Sequence, residues 1–436
     1  MSKIKNILKS IIIKILTLES KVILKRFNPR IIAITGSVGK TTTKDVSYSA
    51  LKKSIHVRKN EKSFNSEIGV PLTILGLPNG WSNPRIWINN VIKGFLRCVS
   101  FKKYPDYLIL EVGVDRPGDI EKLTKWLKPD VAVMTRLPER PAHVEFFNSK
   151  EDVWNEKRNL ISAVKKGGAV VLNNDDEEVI NSKLPDDVKV FSYGKNLSSD
   201  VIFDNYKVRY QGGEPVGISA SIKTKRGDEH NINLDGVLGD HHIYPAVAAI
   251  SIGMAIDIPV AEIIEAIGEH NPTSGRMRIL KGYEDSILID DTYNSSPTAL
   301  TKAIEEVGKI ESKGSKIAIL GDMLELGKDS SQAHREAGET LFSNGFEQLV
   351  TVGVRASHIA EGAISGGMKL DNVACFPSTD DVDLYEHLSV LISEGDVLLI
   401  KGSQGSRMEK VTKYLLKDQE EAKDSLVRQD NIWLKK

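Results

Sequence analysis

Apolar residues along this chain fall into short runs that alternate with amphipathic stretches, the period expected when parallel strands are joined by helices. Ile31-Ile32-Ala33-Ile34 ends at Thr35-Gly36 and passes through Gly39 into a helix predicted from Lys40 to about Leu51. Further apolar runs at 107–110, 131–134 and 169–172 are each followed by polar residues. Trp81, Trp87 and Phe95, set among Ile86, Ile88, Val91, Ile92 and Leu96, predict an amphipathic core helix. Between Val201 and Leu238 short alternating runs predict antiparallel strands, followed by helices at 243–254 and 260–267. After Pro272, Ser274 and Gly275 a second strand series begins, at 287–290, 316–320, 348–352 and 396–400. The expected fold class is α/β. A P-loop central domain with a mostly parallel sheet and a small antiparallel β-layer precedes a Rossmann-like C-terminal α/β domain. The expected divisions are 1–30, 31–274 and 275–436.

Residues 1–30 stand apart. Ile4, Leu8, Ile11, Ile15, Leu18 and Val22 recur near helical spacing with lysines between them, which predicts a basic amphipathic helix. Its longest uninterrupted apolar run, Ile11–Ile13, is too short to span a bilayer. Peripheral contact with an anionic membrane and packing on the following domain both remain open for it. At 436 residues the chain suggests two or three domains. Basic and acidic residues number 59 each, so no global field recruits nucleic acid. Cys98 and Cys375 lack zinc-site spacing and form no disulfide framework. A cytoplasmic protein is expected.

The candidate chemistry gathers at the carboxyl ends of the predicted strands, where open parallel sheets hold ligands. Gly36, Ser37 and Gly39 let backbone amides approach phosphate oxygens, and the following helix aims its N-terminal dipole at them. Lys40 is placed for terminal phosphates and Thr41 for magnesium, with Thr42 in the same turn. The general pattern has glycine where Ile34 stands, leaving Thr-Gly-Ser-x-Gly-Lys-Thr. Glu111 ends a buried strand, and His143 lies in the loop after another, which makes both candidate metal ligands with Thr41. Ser149, with Asp152 three residues on, predicts a helix start. In the second series, Asp290–Pro297, Gly321–Gly327 and Lys401–Ser403 follow strand ends. Two α/β domains with one phosphate loop imply ATP and a second substrate brought in by closure.

Several stretches together resemble the Mur ligases, the ATP-dependent amide-forming family of cell-wall synthesis. Asp290-Asp291-Thr292-Tyr293-Asn294, Gly321-Asp322-Met323-x-Glu325-Leu326-Gly327 and Lys401-Gly402-Ser403 are similar to the branch that joins D-alanyl-D-alanine to a UDP-muramoyl-tripeptide. The resemblance covers residues 31 to about 416, and its short phosphate loop is the form this chain carries. It implies magnesium ligands at Thr41, Glu111 and His143, and a carbamylated lysine at Lys157 acting as a further metal ligand. Catalytic roles fall to Lys40, Lys157 and His143. Nucleotide contacts fall to Asn173, Arg276, Asp290, Tyr293 and Asn294, and substrate contacts to Asn65 and Lys401. His334 follows the Gly-Asp-Met signature at the family's distance. The implied partners are ATP, Mg2+, a muramoyl peptide and D-alanyl-D-alanine, with the chain a monomer.

Departures from the pattern accompany this resemblance. Arg136 replaces an asparagine, Asn159 an acidic residue, and Pro245 a further asparagine, while His-Asn becomes His241-His242. The phosphate loop follows directly on the basic helix, which implies that the family's UDP-binding N-terminal domain is missing. Alternatives are a Mur-like ligase with another acceptor or amine, and a non-catalytic ATP-binding protein.

Overall fold

The structure is a computed structural model that describes residues 2–61, 64–81, 83–100, 102–114, 116–137, 147, 149–430 and 433. The chain divides into two compact units. The first comprises Met1–Asn205, Ala220–Ile232 and Ile243–His270, and the second Tyr206–Ser219, Asn233–His242 and Asn271–Lys436.

The first sheet is built from β1 (Arg30–Thr35), β2 (Val57–Lys59), β3 (Tyr107–Glu111), β4 (Val131–Met134), β5 (Ala169–Asn173), β6 (Lys189–Gly194), β7 (Val201–Gln211), β8 (Glu214–Thr224) and β9 (Glu229–Asp235), in the order 2-3-1-4-5-6-7-8-9. Strands β2 through β6 pair in parallel around β1. Ile31–Ile34, Leu108–Leu110, Val131–Met134 and Ala169–Leu172 are continuous buried apolar runs within β1, β3, β4 and β5, because both faces of such a sheet are covered. The alternating stretch expected as a small β-layer forms β7–β9, which extend this sheet, β7 joining β6 in parallel. Gly212 and Gly213, at φ +62° and +87°, make the two-residue turn from β7 to β8.

Helices of the first unit are α1 (Ser2–Phe27), α2 (Lys40–Leu51), α3 (Gly69–Leu75), α4 (Pro84–Val99), α5 (Asp119–Thr124), α6 (Lys150–Ser162), α7 (Glu177–Ile180), α8 (Ile243–Ala255) and α9 (Val260–Gly268). The basic N-terminal helix packs on α3 and α4, and its Leu16 and Ile23 enter the core beside Val70, Leu72 and Leu75. Among the described residues no helix is long and apolar enough to cross a membrane. Helix α4 differs from the expected core helix. Trp87 and Val91 pack inward, while Ile88, Ile92, Phe95 and Leu96 face solvent, because apolar residues on more than one side of a helix cannot all meet one core.

His270 closes the first unit beside α2, where Ser49 Oγ and His270 Nδ1 lie 2.9 Å apart. Burial depresses its pKa from 6.5 to about 4, so it folds neutral. The unfolded chain then takes up the proton first as pH falls. Stability is therefore full above about pH 6.5 and declines toward pH 4, by up to about 3 kcal/mol. His270→Gln is expected to flatten this part of the stability profile, measured by denaturant unfolding across that range. An unchanged slope would assign the acid sensitivity to other groups.

The second sheet contains β10 (Arg278–Lys281), β11 (Ile287–Asp291), β12 (Lys316–Gly321), β13 (Gln348–Val352), β14 (Val373–Phe376) and β15 (Val397–Lys401), in the order 10-11-15-12-13-14. Only β10 is antiparallel to its neighbour; the rest pair in parallel. Helices α10 (Pro297–Gly308), α11 (Ser330–Ser343), α12 (Ser357–Ser365) and α13 (Val382–Leu391) link the parallel strands, and α14 (Glu409–Leu415) follows β15. This is the doubly wound architecture the second strand series predicts.

Candidate active site

Strand β1 delivers the chain to a loop whose glycines serve different ends. Gly36, at φ +141°, lies so close to β4's continuation that a Cβ there would sit 2.0 Å from Thr135 Oγ1. Gly39 has open space around it but adopts φ +85°, the left-handed region that glycine enters without strain. The loop is braced from outside. Thr135 Oγ1 lies 2.6 Å from the Val38 carbonyl and 3.2 Å from that of Thr35, and Ser37 N donates to Arg136 O at 2.7 Å. Arg136, the departure from the family's asparagine, therefore supports the loop through its backbone, which any residue supplies. Helix α2 begins at Lys40 and presents the amides of Lys40, Thr41 and Thr42 in its first turn, where a phosphate is favoured. Lys40 Nζ donates to Gly36 O at 2.9 Å and so arches across the same loop.

Glu111 is the hub behind that loop. It ends β3 in register with Ile34 of β1 and is 1% exposed. Thr41 Oγ1 donates to its Oε1 at 3.2 Å, and Asn65 Nδ2 to the same oxygen at 3.0 Å. Asn60 Oδ1 accepts from the Glu111 amide at 2.6 Å, and Gly113 N donates to Asn65 O at 2.9 Å. These bonds fasten the segment after β2 across the end of β3. The other carboxylate oxygen, Oε2, is buried with no hydrogen-bond partner among the described residues, and Lys44 Nζ stands 3.8 Å from it. An orphaned, buried carboxylate oxygen beside a threonine hydroxyl is destabilising alone and is the hard oxygen donor set that Mg2+ prefers. The residues thus fit a magnesium ion.

Lys44 and its partners were not singled out by sequence. Lys44 is buried beside Asp45 Oδ1 (3.5 Å), which Lys59 Nζ also meets at 2.5 Å. The available signal was spacing, since Lys44 lies one turn beyond Thr41 on α2.

Helix α6 starts where the serine spacing predicts, with Ser149 Oγ accepting from Asp152 N at 3.2 Å. Lys157 on this helix is 3% exposed. Its neighbour Glu156 turns to α5, accepting from Ile120 N at 2.7 Å and Glu121 N at 3.1 Å. His143 lies outside the described residues. Among the described residues no group of three or more His, Cys, Asp or Glu side chains gathers around one point. Asn173, at the end of β5, accepts from Asp175 N at 3.1 Å and holds the strand-end turn.

In the second unit the strand-end motif is folded partly inward. Asp290 is fully buried, accepting from Thr292 Oγ1 (2.7 Å), Thr412 Oγ1 (3.2 Å) and Gly275 N (3.0 Å), and burial pushes its pKa up to about 6. Asp291 accepts from Lys401 Nζ at 2.5 Å, and Lys401 also donates to Asn294 O at 2.9 Å. Asp290 and Lys401, expected as ligand contacts, use these bonds to hold the loop that carries Tyr293 and Asn294. Arg276 lies over the Tyr293 ring, its Cζ 4.0 Å from the centroid. Gly275 permits this approach; at φ +68°, a Cβ would lie 2.8 Å from Tyr293 N.

Two further supports escaped sequence reasoning or lacked a role there. Arg428 donates to Thr292 O at 3.0 Å and Tyr293 O at 2.5 Å, bracing the loop from the far end of the chain. His334 accepts from Met323 N at 2.9 Å through Nε2, while Nδ1 lies 2.6 Å from Ser330 O. Only a neutral ring with its proton on Nδ1 satisfies both, and burial lowers the His334 pKa accordingly. It fixes the Gly-Asp-Met turn.

Comparison with known proteins agrees with this geometry. The Mur ligase middle domain profile matches residues 34–253, and that of the Mur ligase glutamate ligase domain matches residues 275–404. The UDP-N-acetylmuramoyl-tripeptide--D-alanyl-D-alanine ligase of Bacillus subtilis is 29% identical over 397 residues, 91% of this chain and 78% of that protein. Its counterpart from Escherichia coli is 26% identical, over 88% and 76% of the two chains. Among solved structures, MurF ligase from Thermotoga maritima in complex with ADP superposes with TM-score 0.71 and 25% identity, covering 95% of this chain and 84% of that one. MurF from Acinetobacter baumannii reaches TM-score 0.75 at 22% identity, covering 91% and 79%. With a braced phosphate loop, a buried strand-end carboxylate and both domain profiles in order, the chain belongs to the Mur ligase family.

Proposed function

We propose that this chain is an ADP-forming peptide ligase that adds D-alanyl-D-alanine to a UDP-muramoyl-tripeptide. The observation that carries the proposal is the convergence of Thr41, Asn65 and Glu111 behind the phosphate loop, with Glu111 Oε2 left unsatisfied. Thr41, Glu111, His143 and a carbamylated Lys157 are the residues that would hold Mg2+. The ion supplies charge neutralisation on the phosphates.

The acceptor carboxylate oxygen attacks the γ-phosphorus of ATP. The bond from that phosphorus to the bridging oxygen breaks, releasing ADP and an acyl phosphate. Backbone amides of the loop, other than the Ser37 amide that Arg136 O holds, and of the first turn of α2 bind the phosphate oxygens, and the Lys40 ammonium offsets charge on the transferring group. The amine of D-alanyl-D-alanine then attacks the acyl carbon, phosphate leaves, and the nitrogen loses a proton. Asn65 is assigned to the phosphate and acceptor side of the loop. Asn173, Arg276, Tyr293 and Asn294 are assigned to the nucleoside, with Asp290 and Lys401 positioning the last two.

Purified protein with ATP, Mg2+, UDP-N-acetylmuramoyl-tripeptide and D-alanyl-D-alanine is expected to release phosphate and form the joined pentapeptide, followed by mass spectrometry. Omitting either peptide should stop phosphate release. Binding of ATP with no product from any muramoyl peptide would overturn the proposal.

A further inference from the structure

Helix α4 carries two apolar stripes. One, including Trp87, Val91 and Cys98, packs on the core of the first unit. The other, Ile88, Ile92, Phe95, Leu96 and Val99, follows helical spacing on a neighbouring side of the helix, and each of its residues is 54–63% exposed. Helix α1 repeats the arrangement. Leu16 and Ile23 are buried, while Ile7, Leu8, Ile11, Leu18 and Val22 form an outward stripe. The two helices are packed together. Arg26 donates to Cys98 O, Cys98 Sγ lies 3.5 Å from Glu19 O, and Gly94 leaves room for the Glu19 carboxyl, which a Cβ there would meet at 2.0 Å.

Charge on this pair of helices is one-sided. Lys14, Lys21, Lys25, Arg85 and Lys93 are exposed. Glu19 is the sole acid in the two helices, and it is buried at their seam. The chain as a whole is neutral, so this positive excess is local.

We propose that α1 and α4 together form a docking surface for an anionic lipid bilayer, with their outward apolar stripes entering the headgroup boundary and their lysines and arginines meeting lipid phosphates. Large exposed apolar faces on a folded protein mark interaction sites. An apolar stripe flanked by basic residues is the chemistry of a helix lying in a membrane interface. The exposed Trp81 just before α4 suits the same depth. A second copy of this chain is disfavoured as the occupant, because a self-complementary contact would set two positively charged faces against each other. The proposal stands apart from the ligase chemistry and does not depend on it.

The test is co-sedimentation of the full chain with vesicles of phosphatidylcholine alone or mixed with phosphatidylglycerol. Binding is expected only with the anionic lipid, and is expected to fall as salt rises. Lys14→Glu, Lys21→Glu and Lys93→Glu should each weaken it by at least about fivefold. Ile92→Ser with Phe95→Ser should abolish it while melting temperature and ATP turnover stay unchanged. Wild-type protein remaining in the supernatant at low salt, or both variant classes binding like wild type, would overturn the proposal. So would a lipid-free dimer, seen by sedimentation velocity, that the serine variant dissolves while vesicles capture nothing.

Discussion

Glu111→Gln is expected to lower the ligation rate by about a hundred- to a thousandfold while leaving the melting temperature at or above that of the wild type. The amide oxygen can still accept from Thr41 and Asn65, which both donate to Oε1, so the strand-end loop keeps its anchors. What disappears is the second anionic oxygen, buried and without a hydrogen-bond partner among the described residues. Removing a buried charge relieves desolvation, and Lys44, 3.8 Å from the lost oxygen, keeps Asp45 at 3.5 Å as a counter-charge, so stability is expected to hold. Activity and stability thus move apart, which a merely structural role for Glu111 would not produce. The apparent Mg2+ requirement should rise in the same variant. A glutamine variant that retains ordinary turnover at ordinary magnesium would remove Glu111 from the metal site.

Lys157→Ala should have the other large effect, a loss of about a thousandfold or more, if the side chain works as a carbamate. Lys157 is buried on α6, and a carbamate forms when the neutral form of a lysine amine reacts with carbon dioxide. The amine nitrogen bonds to the carbon of carbon dioxide and loses a proton, so a cationic side chain becomes an anionic oxygen ligand. Carbon-labelled bicarbonate should therefore give a carbamate resonance in the wild-type protein that the alanine variant lacks. Buffer stripped of carbon dioxide should lower wild-type turnover, with bicarbonate restoring it. In the variant, bicarbonate or acetate occupying the vacated space should recover part of the rate. Full activity in the variant, or no labelled carbamate in the wild type, would remove this role.

These two residues differ in how legible they are. Glu111 could be placed from the chain alone because an apolar strand ending in a carboxylate fixes that carboxylate at the ligand edge of a parallel sheet. Lys157 offers no such cue, since one lysine on a helix face is ordinarily solvated; its assignment came with the family resemblance, and its burial became visible only in the fold. The expectation for α4 went astray for a related reason. Periodicity identified a helix with abundant apolar residues, but not how many sides of it the core would cover. The answer depended on where α1, α3 and the first sheet lie.

The phosphate loop, the two β/α series and the polar clusters at their strand ends can be read directly from the chain. These features depend on residues close together in the chain, where glycine conformation, strand burial and helix starts act locally. Which side chains meet was set by packing in three dimensions. Thr135 and Arg136 brace a loop about a hundred residues earlier in the chain, and Asn60 and Asn65 close on Glu111. Packing also turned Asp290 and Lys401 inward, where buried donors and a buried counter-charge hold them. The physical reason is common to all: a buried polar atom must find a partner, and the nearest one in space is set by packing rather than by chain distance.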